Sequence, residues 1–558
     1  MARAEYISLR ELDDALRVLL ARHPQWLRAQ AIGQSAEGRP IWLYTLGRLD
    51  GHEDQRPAFW LDGGTHCAEW AGVMGALDAL ERWTARIDED LRSAERPRFT
   101  EWLSRNTIYV VPCISPDGYA AMMAGAPYIR STMRPPPEGT VRTGWSPEDM
   151  DGDGIVRLMR WKHPAGAFVI DEDQPLHMRF RTPDDAADDA WFVAEEGRFV
   201  EWDGVKWTGA SREFGLDLNR NFPGGWRPFS MFGMDAGAFP GSVPESRAVI
   251  DALHARPNVS AAVTLHTFTG CLLTPPYRAD TPLGRADVAL MRALGRDCVK
   301  DTPYPAIAVH PDFTYDASNP IGGVFADTLA TVFGVAAYTL EIWDPFGAAG
   351  VSTENVATFF RDPEPEVLQG LVAWFADQPG TLPWTHLDHP QLGAVEVGGI
   401  ELQRTVRNPP DDKLPAELDT VFAIVDRARK VMPQLRCTVQ VDTRGPESAD
   451  LLIVVENLGY LGTAGLERGA QIGRVPSVRV QVRSGEQLLA TRDLGQLDGW
   501  GQTRVGSGAM PLLPALPARG HRAHVRVRVD GPGPWTVAWH STRAGRGELV
   551  VQRPGESG

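Results

Sequence analysis

The first chemical signal in the sequence is a set of residues that could bind a metal ion. His66 and Glu69 are three residues apart and follow the apolar segment 59–61, and His266 follows the apolar segment 261–265. Imidazole and carboxylate groups both bind zinc, and three protein ligands with one open position make up a catalytic zinc site. Each residue alone also fits an ordinary role, such as a helix cap or a core histidine. The prediction of a metal site therefore needs further residues that agree with it.

The segments around these residues predict the elements that position them. Short apolar runs occupy 41–46, 58–62, 107–111, 261–265 and 335–340, and segments with helical spacing lie at 8–21, 71–86, 244–255 and 365–375. Strands that are apolar on both faces and alternate with helices indicate an α/β fold whose sheet is covered on both sides. In open sheets of this kind ligands bind beyond the carboxyl ends of the strands, where His66 and His266 are expected.

Three further regions differ from this pattern. The stretch 127–212 is rich in proline, aspartate and glycine and poor in apolar runs, which predicts a long inserted loop region. Residues 379–433 begin with a Pro- and Gly-containing stretch and are predicted to be a connecting segment. Residues 434–558 contain alternating polar and apolar runs between Gly and Pro turns, the pattern of an antiparallel β-sandwich. The predicted organisation is a catalytic domain at 1–378 and an all-β accessory domain at 434–558.

The candidate ligands belong to a set of five sequence blocks that follow one another in a fixed order. They are His66-Cys-Ala-Glu69, Ser115-Pro-Asp-Gly-Tyr119, Gly215-Leu-Asp-Leu-Asn-Arg-Asn-Phe222, His266 and Thr339-Leu-Glu341. In this order, and together with the stretch 33–41, the blocks resemble the zinc carboxypeptidase family, the carboxypeptidase A-like metallopeptidases. The resemblance covers about residues 5–377. It implies a carboxypeptidase-like fold, with a mixed and mostly parallel sheet sandwiched by helices, and one zinc ion per chain.

The resemblance also implies roles for the residues that match. His66, Glu69 and His266 match the family's zinc ligands. Glu341 matches the general base, a carboxylate that takes a proton from the metal-activated water and passes it to the leaving amine. A glutamate that ends so apolar a strand is costly to bury unless it faces a cleft, which agrees with this role.

A second implied pair concerns the substrate. Asn219 and Arg220 match the residues that hold the terminal carboxylate of the peptide, a task that suits the planar, bidentate guanidinium of arginine. Their presence favours a carboxypeptidase over an amidase that lacks such a pair. The expected partners are therefore peptides with a free C-terminal carboxylate.

The family also uses an arginine to stabilise the oxyanion, and two residues compete for that role. Arg157 and Arg160 form an Arg-x-x-Arg run that resembles the family's run locally and assigns the role to Arg160. An ungapped count from Asp117 gives Arg130 instead. We expect Arg160, because local sequence survives an insertion better than a count does, and Arg130 stays as the alternative.

Two substrate-binding assignments follow from counting along the family pattern. Tyr315 matches the mobile tyrosine if four residues are inserted before Glu341. An ungapped count places Ala326 at the floor of the pocket for the terminal side chain, with Thr339 nearby. Neither Ala326 nor Thr339 is charged, which favours substrates with an apolar or aromatic C-terminal residue.

The inserted region contains a possible calcium loop. Asp149, Asp151 and Asp153 have the carboxylate spacing of such a loop, and Gly154 permits its tight turn. The twelfth position is Arg160, where an EF-hand has glutamate, so the stretch is not an EF-hand. Bound calcium and a solvated acidic turn both stay open.

Composition limits the remaining classes of function. The chain has 558 residues with 56 Lys and Arg against 72 Asp and Glu, a formal net charge of −16. That charge disfavours nucleic acid and anionic membranes as partners. Five scattered cysteines, no apolar signal core near the N-terminus and no membrane-spanning segment predict a cytoplasmic protein. The oligomeric state stays open.

The combined expectation is a zinc-dependent metallocarboxypeptidase that hydrolyses the C-terminal peptide bond by metal-activated water. One alternative is a related zinc amidohydrolase that acts on cell-wall peptides or side-chain glutamate linkages. The other is a non-catalytic relative that uses the cleft or the C-terminal region for binding, although all the candidate ligands and Glu341 are intact.

Overall fold

Helix α1 (Leu9–Arg22) shows how local sequence sets the boundaries of the elements. The Ser8 hydroxyl accepts a hydrogen bond from the backbone amide of Glu11, and the Glu11 carboxylate accepts one from the backbone amide of Ser8. This capping box satisfies amides that have no partner inside the helix. The helix then buries Leu12 and Leu16 on the side that faces the core.

Helices and short strands alternate along the first two thirds of the chain, and strands predominate after that. The computed structural model describes residues 4–93, 98–133, 143–209, 216–228, 230–231, 234–314, 321–352, 359, 363–445, 447–506 and 520–554. The further helices are α2 (Trp70–Arg92), α3 (Phe99–Leu103), α4 (Pro116–Met123), α5 (Pro244–His254), α6 (Arg285–Val299), α7 (Phe325–Thr331), α8 (Pro345–Ala349), α9 (Pro365–Ala376), α10 (Leu414–Ala428), α11 (Glu467–Gln471) and α12 (Trp500–Gly506). The strands are β1 (Leu27–Gln34), β2 (Pro40–Leu46), β3 (Ala58–Asp62), β4 (Thr107–Val111), β5 (Gly144–Pro147), β6 (Leu158–Lys162), β7 (Phe168–Ile170), β8 (Met178–Phe180), β9 (Trp191–Glu195), β10 (Gly197–Val200), β11 (Ser230–Met231), β12 (Met234–Asp235), β13 (Val259–Thr267), β14 (Cys271–Thr274), β15 (Ala306–Ala308), β16 (Ala336–Ile342), β17 (Leu382–His389), β18 (Gly393–Gly399), β19 (Leu435–Gly445), β20 (Ser448–Asn457), β21 (Arg479–Ser484), β22 (Gln487–Asp493), β23 (Arg522–Asp530), β24 (Trp535–Ser541) and β25 (Gly545–Val551).

The central sheet has eight strands in the order β1-β2-β4-β3-β13-β16-β14-β15. Its middle strands β4, β3, β13 and β16 are parallel, whereas β1, β2 and β14 join through antiparallel pairs. All residues of β3, β4 and β13 are buried, as expected for parallel strands with helices on both faces. Helices α2, α7 and α10 pack against β13, and α6 packs against β14. The predicted α/β fold with a mixed, mostly parallel sheet is confirmed.

The inserted region 127–212 differs from its prediction as a long loop. It contains β5 to β10, and β6 to β9 join β17 and β18 in a six-stranded sheet of order β17-β18-β6-β9-β7-β8. The core of this insertion sheet includes Met159 and Trp161 from β6 and Val395 and Val397 from β18. Its strands in the inserted region have only three to five residues, so no long apolar run marks them in the sequence.

The segment 379–433, predicted to connect two domains, holds regular structure of its own. It supplies β17 and β18 to the insertion sheet, and its helix α10 packs on α2. The Trp83 indole donates to Asp426 at 3.0 Å, and Arg86 pairs with the same carboxylate at 2.6 Å. Burial alone would raise the pKa of Asp426, but Arg429 beside it holds that pKa well below its usual range. This segment is therefore packed onto the α/β region rather than extended between domains.

The C-terminal region consists mostly of antiparallel strands, as predicted. Strands β19-β20-β23 form one sheet and β22-β21-β24-β25 another, and the apolar faces of both contribute to one core. The buried Arg543 joins this region to the α/β region, since its guanidinium donates to the carbonyls of Phe333, Gly334 and Ala464 at 2.5–2.7 Å. Five hydrogen-bond donors in a fixed fork suit arginine to such a junction.

Two further features concern membrane-spanning length in the helices and disulfide bonds between the cysteines. Within the described ranges, no helix combines the length and the apolar character needed to cross a bilayer. All five cysteines are buried, and none forms a disulfide.

Candidate metal centre and substrate cleft

The candidate site lies at the carboxyl ends of three adjacent parallel strands. His66 and Glu69 follow β3, and His266 lies in β13 directly beside Glu341 of β16 in the strand register. Helix α2 begins after Glu69 and approaches β13 closely at this point. A Cβ atom at Gly72 would lie only 2.9 Å from the carbonyl oxygen of Leu265, so glycine permits this approach.

The three predicted ligands converge in the structure. Glu69 Oε1 lies 2.8 Å from Nδ1 of His66, Glu69 Oε2 lies 3.0 Å from Nδ1 of His266, and the two Nδ1 atoms are 3.1 Å apart. All three side chains are buried, and their donor atoms lie within 4.8 Å of one another. Ligands held at ~2.1 Å from one zinc ion in a tetrahedron lie about 3.4 Å apart. Two imidazole nitrogens and a carboxylate at these separations fit zinc.

Contacts behind the ligands fix their orientation. His66 Nε2 lies 3.0 Å from Oδ1 of Asp217, an arrangement in which the carboxylate leaves Nδ1 of the same ring to face the metal. Burial alone would raise the pKa of Asp217, but Arg220 and Arg130 hold it well below its usual range. The backbone amide of Thr267 donates to Oε2 of Glu69 at 3.1 Å.

His266 has its own supporting contact on the far side of the ring. Its Nε2 lies 3.3 Å from the hydroxyl of Thr264, and that hydroxyl donates to Asp62 at 2.7 Å. Burial raises the pKa of Asp62 to about 7. Both candidate histidine ligands are thus oriented by side chains that do not themselves reach the metal position.

A cavity joins these groups to the residues expected to bind substrate. Its polar side includes two of the three ligands, His66 and Glu69, with Glu341, Arg130, Asn219 and Arg220. Its apolar side includes Leu273, Tyr277, Val309, Phe313, Ile321 and Val324. Burial raises the pKa of Glu341 above its ordinary value, which makes this carboxylate a stronger proton acceptor once ionised.

Asn219 and Arg220 are positioned by a short helical turn. The Asp217 carboxylate accepts the amide of Asn219 at 2.9 Å and caps the turn. Asn219 Oδ1 accepts the amide of Phe325 at 2.8 Å, which ties the turn to the start of α7, and Arg220 donates to the Asn219 carbonyl at 2.8 Å. The predicted pair lines the same cavity as His66 and Glu69.

Arg160, the preferred candidate for the oxyanion donor, does not lie at the metal centre. Arg160 lies in the insertion sheet, where it pairs with Glu396 at 2.6 Å and lies over the rings of Trp191 and Trp384. It is not among the described residues that line the cavity. Arg160 of the Arg-x-x-Arg run lies in β6, between β9 and β18, whereas Arg157 precedes this strand, so the run does not lie at the metal centre.

The alternative, Arg130, lies at the metal centre. Its guanidinium is 3.0 Å from Glu69 Oε1 and 3.4 Å from Asp217 Oδ2, and its side chain also lines the cavity. Arg130 lies close to the start of the inserted region 127–212, so most of the insertion does not separate it from Asp117, the residue from which the ungapped count began.

The two assignments for substrate specificity have different outcomes. Tyr315 lies outside the described residues. Ala326 is fully buried in α7 and does not line the cavity, whereas Val324, two residues earlier, does. The ungapped count back from Glu341 therefore placed the pocket wall too far along the chain. Thr339 lines the cavity as expected.

The aspartates of the inserted region form a compact loop. Asp149, Asp151 and Asp153 lie within 4.8 Å of one another, and each accepts a backbone amide of the same loop. Asp153 also pairs with Arg157 at 2.9 Å. These contacts show that the three carboxylates stabilise a turn of the backbone. They add no support for bound calcium.

One residue that supports the metal centre was not assigned a role from sequence. Asp217 lies inside the block that ends at Phe222, but only its neighbours Asn219 and Arg220 were assigned roles from sequence. Its position three residues before Arg220 was the available signal, whereas its contact with His66 depends on the fold.

Two regions of the chain match known family models. Residues 12–349 match the family model described as zinc carboxypeptidase, and residues 437–552 match a model described as a domain of unknown function. Carboxypeptidase A1 of Sus scrofa is 35% identical over 118 residues, which are 21% of this chain and 26% of the relative. Carboxypeptidase A1 of Rattus norvegicus is 23% identical over 336 residues, 56% of this chain and 60% of the relative. The chain thus spans less than two thirds of the length of either relative.

Solved structures show a more distant similarity. Thrombin activatable fibrinolysis inhibitor is 16% identical with a TM-score of 0.41, over 76% of this chain and 75% of that chain. Carboxypeptidase A from Helicoverpa armigera is 17% identical with a TM-score of 0.38, over 66% of this chain and 73% of that chain. Similarity at this level adds nothing to the assignment, which rests on the family match over more than half of the chain.

Proposed function

This chain belongs to the zinc carboxypeptidase family, and we propose that it is a zinc-dependent metallocarboxypeptidase that removes the C-terminal residue of peptides. One observation carries the proposal. A single cavity is lined by His66, Glu69, the carboxylate of Glu341 and the Asn219–Arg220 pair, and His266 lies against His66 and Glu69 at the same point. A hydrolytic centre and a binding pair for a free carboxylate thus lie within reach of one peptide end.

The proposed chemistry divides among the residues of the cavity. Zinc held by the three ligands would act as a Lewis acid for the scissile carbonyl and the attacking water. Glu341 accepts a proton from that water and delivers it to the nitrogen of the leaving residue, so the peptide bond breaks with no net change in protonation of the enzyme. Arg130 donates hydrogen bonds to the carbonyl oxygen as it gains negative charge.

Substrate orientation depends on the other end of the cavity. Arg220 offers two parallel N–H donors to the terminal carboxylate, and Asn219 adds a side-chain amide. Asp217 keeps Arg220 and His66 in place through contacts at 3.9 and 3.0 Å. The substrate's last residue is thereby held so that the carbonyl group of the peptide bond before it faces the metal.

The apolar side of the cavity supports a preference for apolar or aromatic C-terminal residues. Leu273, Val309, Phe313 and Val324 line it, and no acidic or basic side chain is found among its described lining residues away from the metal and Arg220. A charged terminal side chain would lose hydration there without gaining a counter-ion.

A cytoplasmic location is a separate proposal. The five buried, unpaired cysteines support it, because disulfides are rare in reducing compartments. Fractionation of cells that express the chain at its natural level tests the proposal, and recovery of the protein only outside the cytoplasm would contradict it.

A peptide panel tests the activity. Peptides that differ only in their last residue are incubated with the zinc-loaded protein, and products are identified by mass spectrometry. We expect loss of one C-terminal residue, fastest for Phe or Leu, and no cleavage of the same peptides with an amidated C-terminus. Equal cleavage of amidated peptides would remove the role of Arg220 and favour an amidohydrolase, whereas no cleavage of any peptide would favour a binding protein.

A further inference from the structure

The proposed ligand Glu69 lies at a position where its side chain could either bind the metal or cap a helix. It is the N-cap residue of α2, yet its side chain caps no amide of that helix. Its two carboxylate oxygens lie instead against the two histidines, at 2.8 and 3.0 Å. The first amides of a helix have no acceptor within the helix and commonly bond to the side chain of the N-cap residue. An amide of the first turn of α2 therefore needs an acceptor from elsewhere.

That acceptor is Asn408, a buried residue 337 positions further along the chain. Its Oδ1 accepts the amide of Ala71 at 3.0 Å. Its Nδ2 donates to the carbonyls of Ala68 at 2.9 Å and Gln403 at 3.0 Å. The two alanines flank Glu69 and Trp70, so one side chain holds the backbone on both sides of the ligand.

The neighbouring residues of segment 401–408 strengthen this arrangement. Gln403 Nε2 donates to the Ala68 carbonyl at 2.5 Å, which gives that carbonyl a second side-chain donor. The indole of Trp343, two residues after Glu341, donates to the carbonyl of Thr405 at 2.7 Å. The segment thus contacts both the turn that carries Glu69 and the end of the strand that carries Glu341. It lies outside the 12–349 family match.

We propose that Asn408 is a positioning residue for the metal centre, which it serves by capping α2 in place of Glu69. This inference rests on the proposed role of Glu69 as a ligand. Without Asn408 the amide of Ala71 would be buried with no acceptor, which is costly. The carboxylate of the N-cap residue is the side chain that can reach that amide, so Glu69 would be drawn toward the helix and away from the ion.

Zinc release from the full-length protein tests the proposal. A chromophoric chelator in excess reports the rate at which zinc leaves wild type and Asn408→Ala. Loss of a group that orients a metal ligand typically costs about 10–100-fold in metal affinity, so we expect release from the variant to be about tenfold faster. Excess zinc should restore peptide turnover of Asn408→Ala, because the catalytic groups themselves are unchanged.

Asn457→Ala is the matched control. Asn457 is also buried, its Oδ1 accepts the amides of Gln434 and Gly459 at 3.0 Å, and its Nδ2 donates to the Leu461 carbonyl at 2.8 Å. It lies in the C-terminal region, so its loss should lower the melting temperature without changing zinc release. Gln403→Ala, which removes one donor to Ala68 and keeps the cap, should speed release less than Asn408→Ala.

The outcomes separate the inference from the proposed function. Wild type that binds no zinc would overturn the proposed function and the inference together. Zinc-binding wild type with an unchanged release rate in Asn408→Ala, or with an equal increase in Asn457→Ala, would overturn the inference alone. If Asn408→Ala cannot be purified, Gln403→Ala decides, and release at the wild-type rate from that variant would count against the role of the segment.

Discussion

The metal cleft and the insertion sheet each place an arginine beside acidic side chains, but in different surroundings. In the cleft, the guanidinium of Arg130 contacts Glu69 and Asp217, and its side chain lines the cavity and stays 24% exposed. A substrate oxygen can reach such a group. The arginine therefore combines a fixed position with a partly exposed side chain, the two conditions for stabilising charge that develops during a reaction.

The arginine of the insertion sheet has a fixed position and no open edge. Arg160 is buried, pairs with Glu396 at 2.6 Å, and lies 4.9 and 4.3 Å from the ring centres of Trp191 and Trp384. Cation–π contacts and an ion pair use the guanidinium to hold strands together. The comparison teaches that the exposed edge of an arginine, more than its local sequence, separates a reactive group from a structural one.

Glu341→Gln should produce the largest loss and define the reactive side of this comparison. Gln cannot accept the proton of the attacking water, so we expect kcat to fall about 10³-fold with little change in zinc content. Initial rates with the preferred peptide and metal analysis of the purified variant measure the two quantities. Full turnover in Glu341→Gln would exclude this carboxylate as the general base.

Arg130→Ala should lower kcat/KM about 10²-fold, because an oxyanion donor is removed while the zinc ligands remain. Arg130→Lys is the matched variant, since it keeps the charge but loses the forked N–H donors. Steady-state kinetics with one peptide compare the three proteins. A kcat/KM near wild type in Arg130→Ala would place the oxyanion donor elsewhere.

Asp217→Asn should weaken zinc binding about 10–100-fold, because His66 loses the negative charge that orients its ring and strengthens it as a ligand. Competition with a chelator of known affinity measures the change. Thr264→Val tests the equivalent support of His266, where a neutral hydroxyl is lost, and its effect should be smaller. An unchanged zinc affinity in Asp217→Asn would contradict the orienting role.

Arg160→Ala should have the smallest effect on catalysis. Its kcat/KM should stay near wild type, while stability falls by roughly 1 kcal/mol because Glu396 and two tryptophan rings lose their partner. Thermal unfolding and limited proteolysis within β6–β9 measure this loss. A drop in kcat/KM larger than that of Arg130→Ala would reverse the comparison between the two regions.

The candidate ligands could be named from the sequence because they stand in blocks that resemble a known family. His66 follows β3, and His266 and Glu341 lie near the ends of β13 and β16, where adjacent parallel strands bring such positions to one edge of the sheet. Asn408 could not be found this way, because its hydrogen bonds join residues 337 positions apart.

The errors in the prediction have a common physical origin. Arg160 lies in β6, and one of the two strands that pair with β6 is β18, far along the chain, so the sequence near Arg160 shows only part of the sheet. Ala326 was chosen by a count that assumed no change of length between the pocket wall and Glu341, and Val324 lines the cavity instead. Local patterns determine strands with continuous apolar runs, whereas short strands depend on tertiary pairing.

The insertion sheet also constrains the order in which a newly synthesised chain can fold. Strand β6 pairs with β9 on one side and with β18 on the other, and β18 begins about 200 residues after β9 ends. At ordinary rates of translation the first strands wait roughly 10–40 s for that partner. During this interval the edge of β6 is open to pairing with other chains, a known route to aggregation. Any shortened form of the protein that ends before residue 393 would leave this edge open permanently.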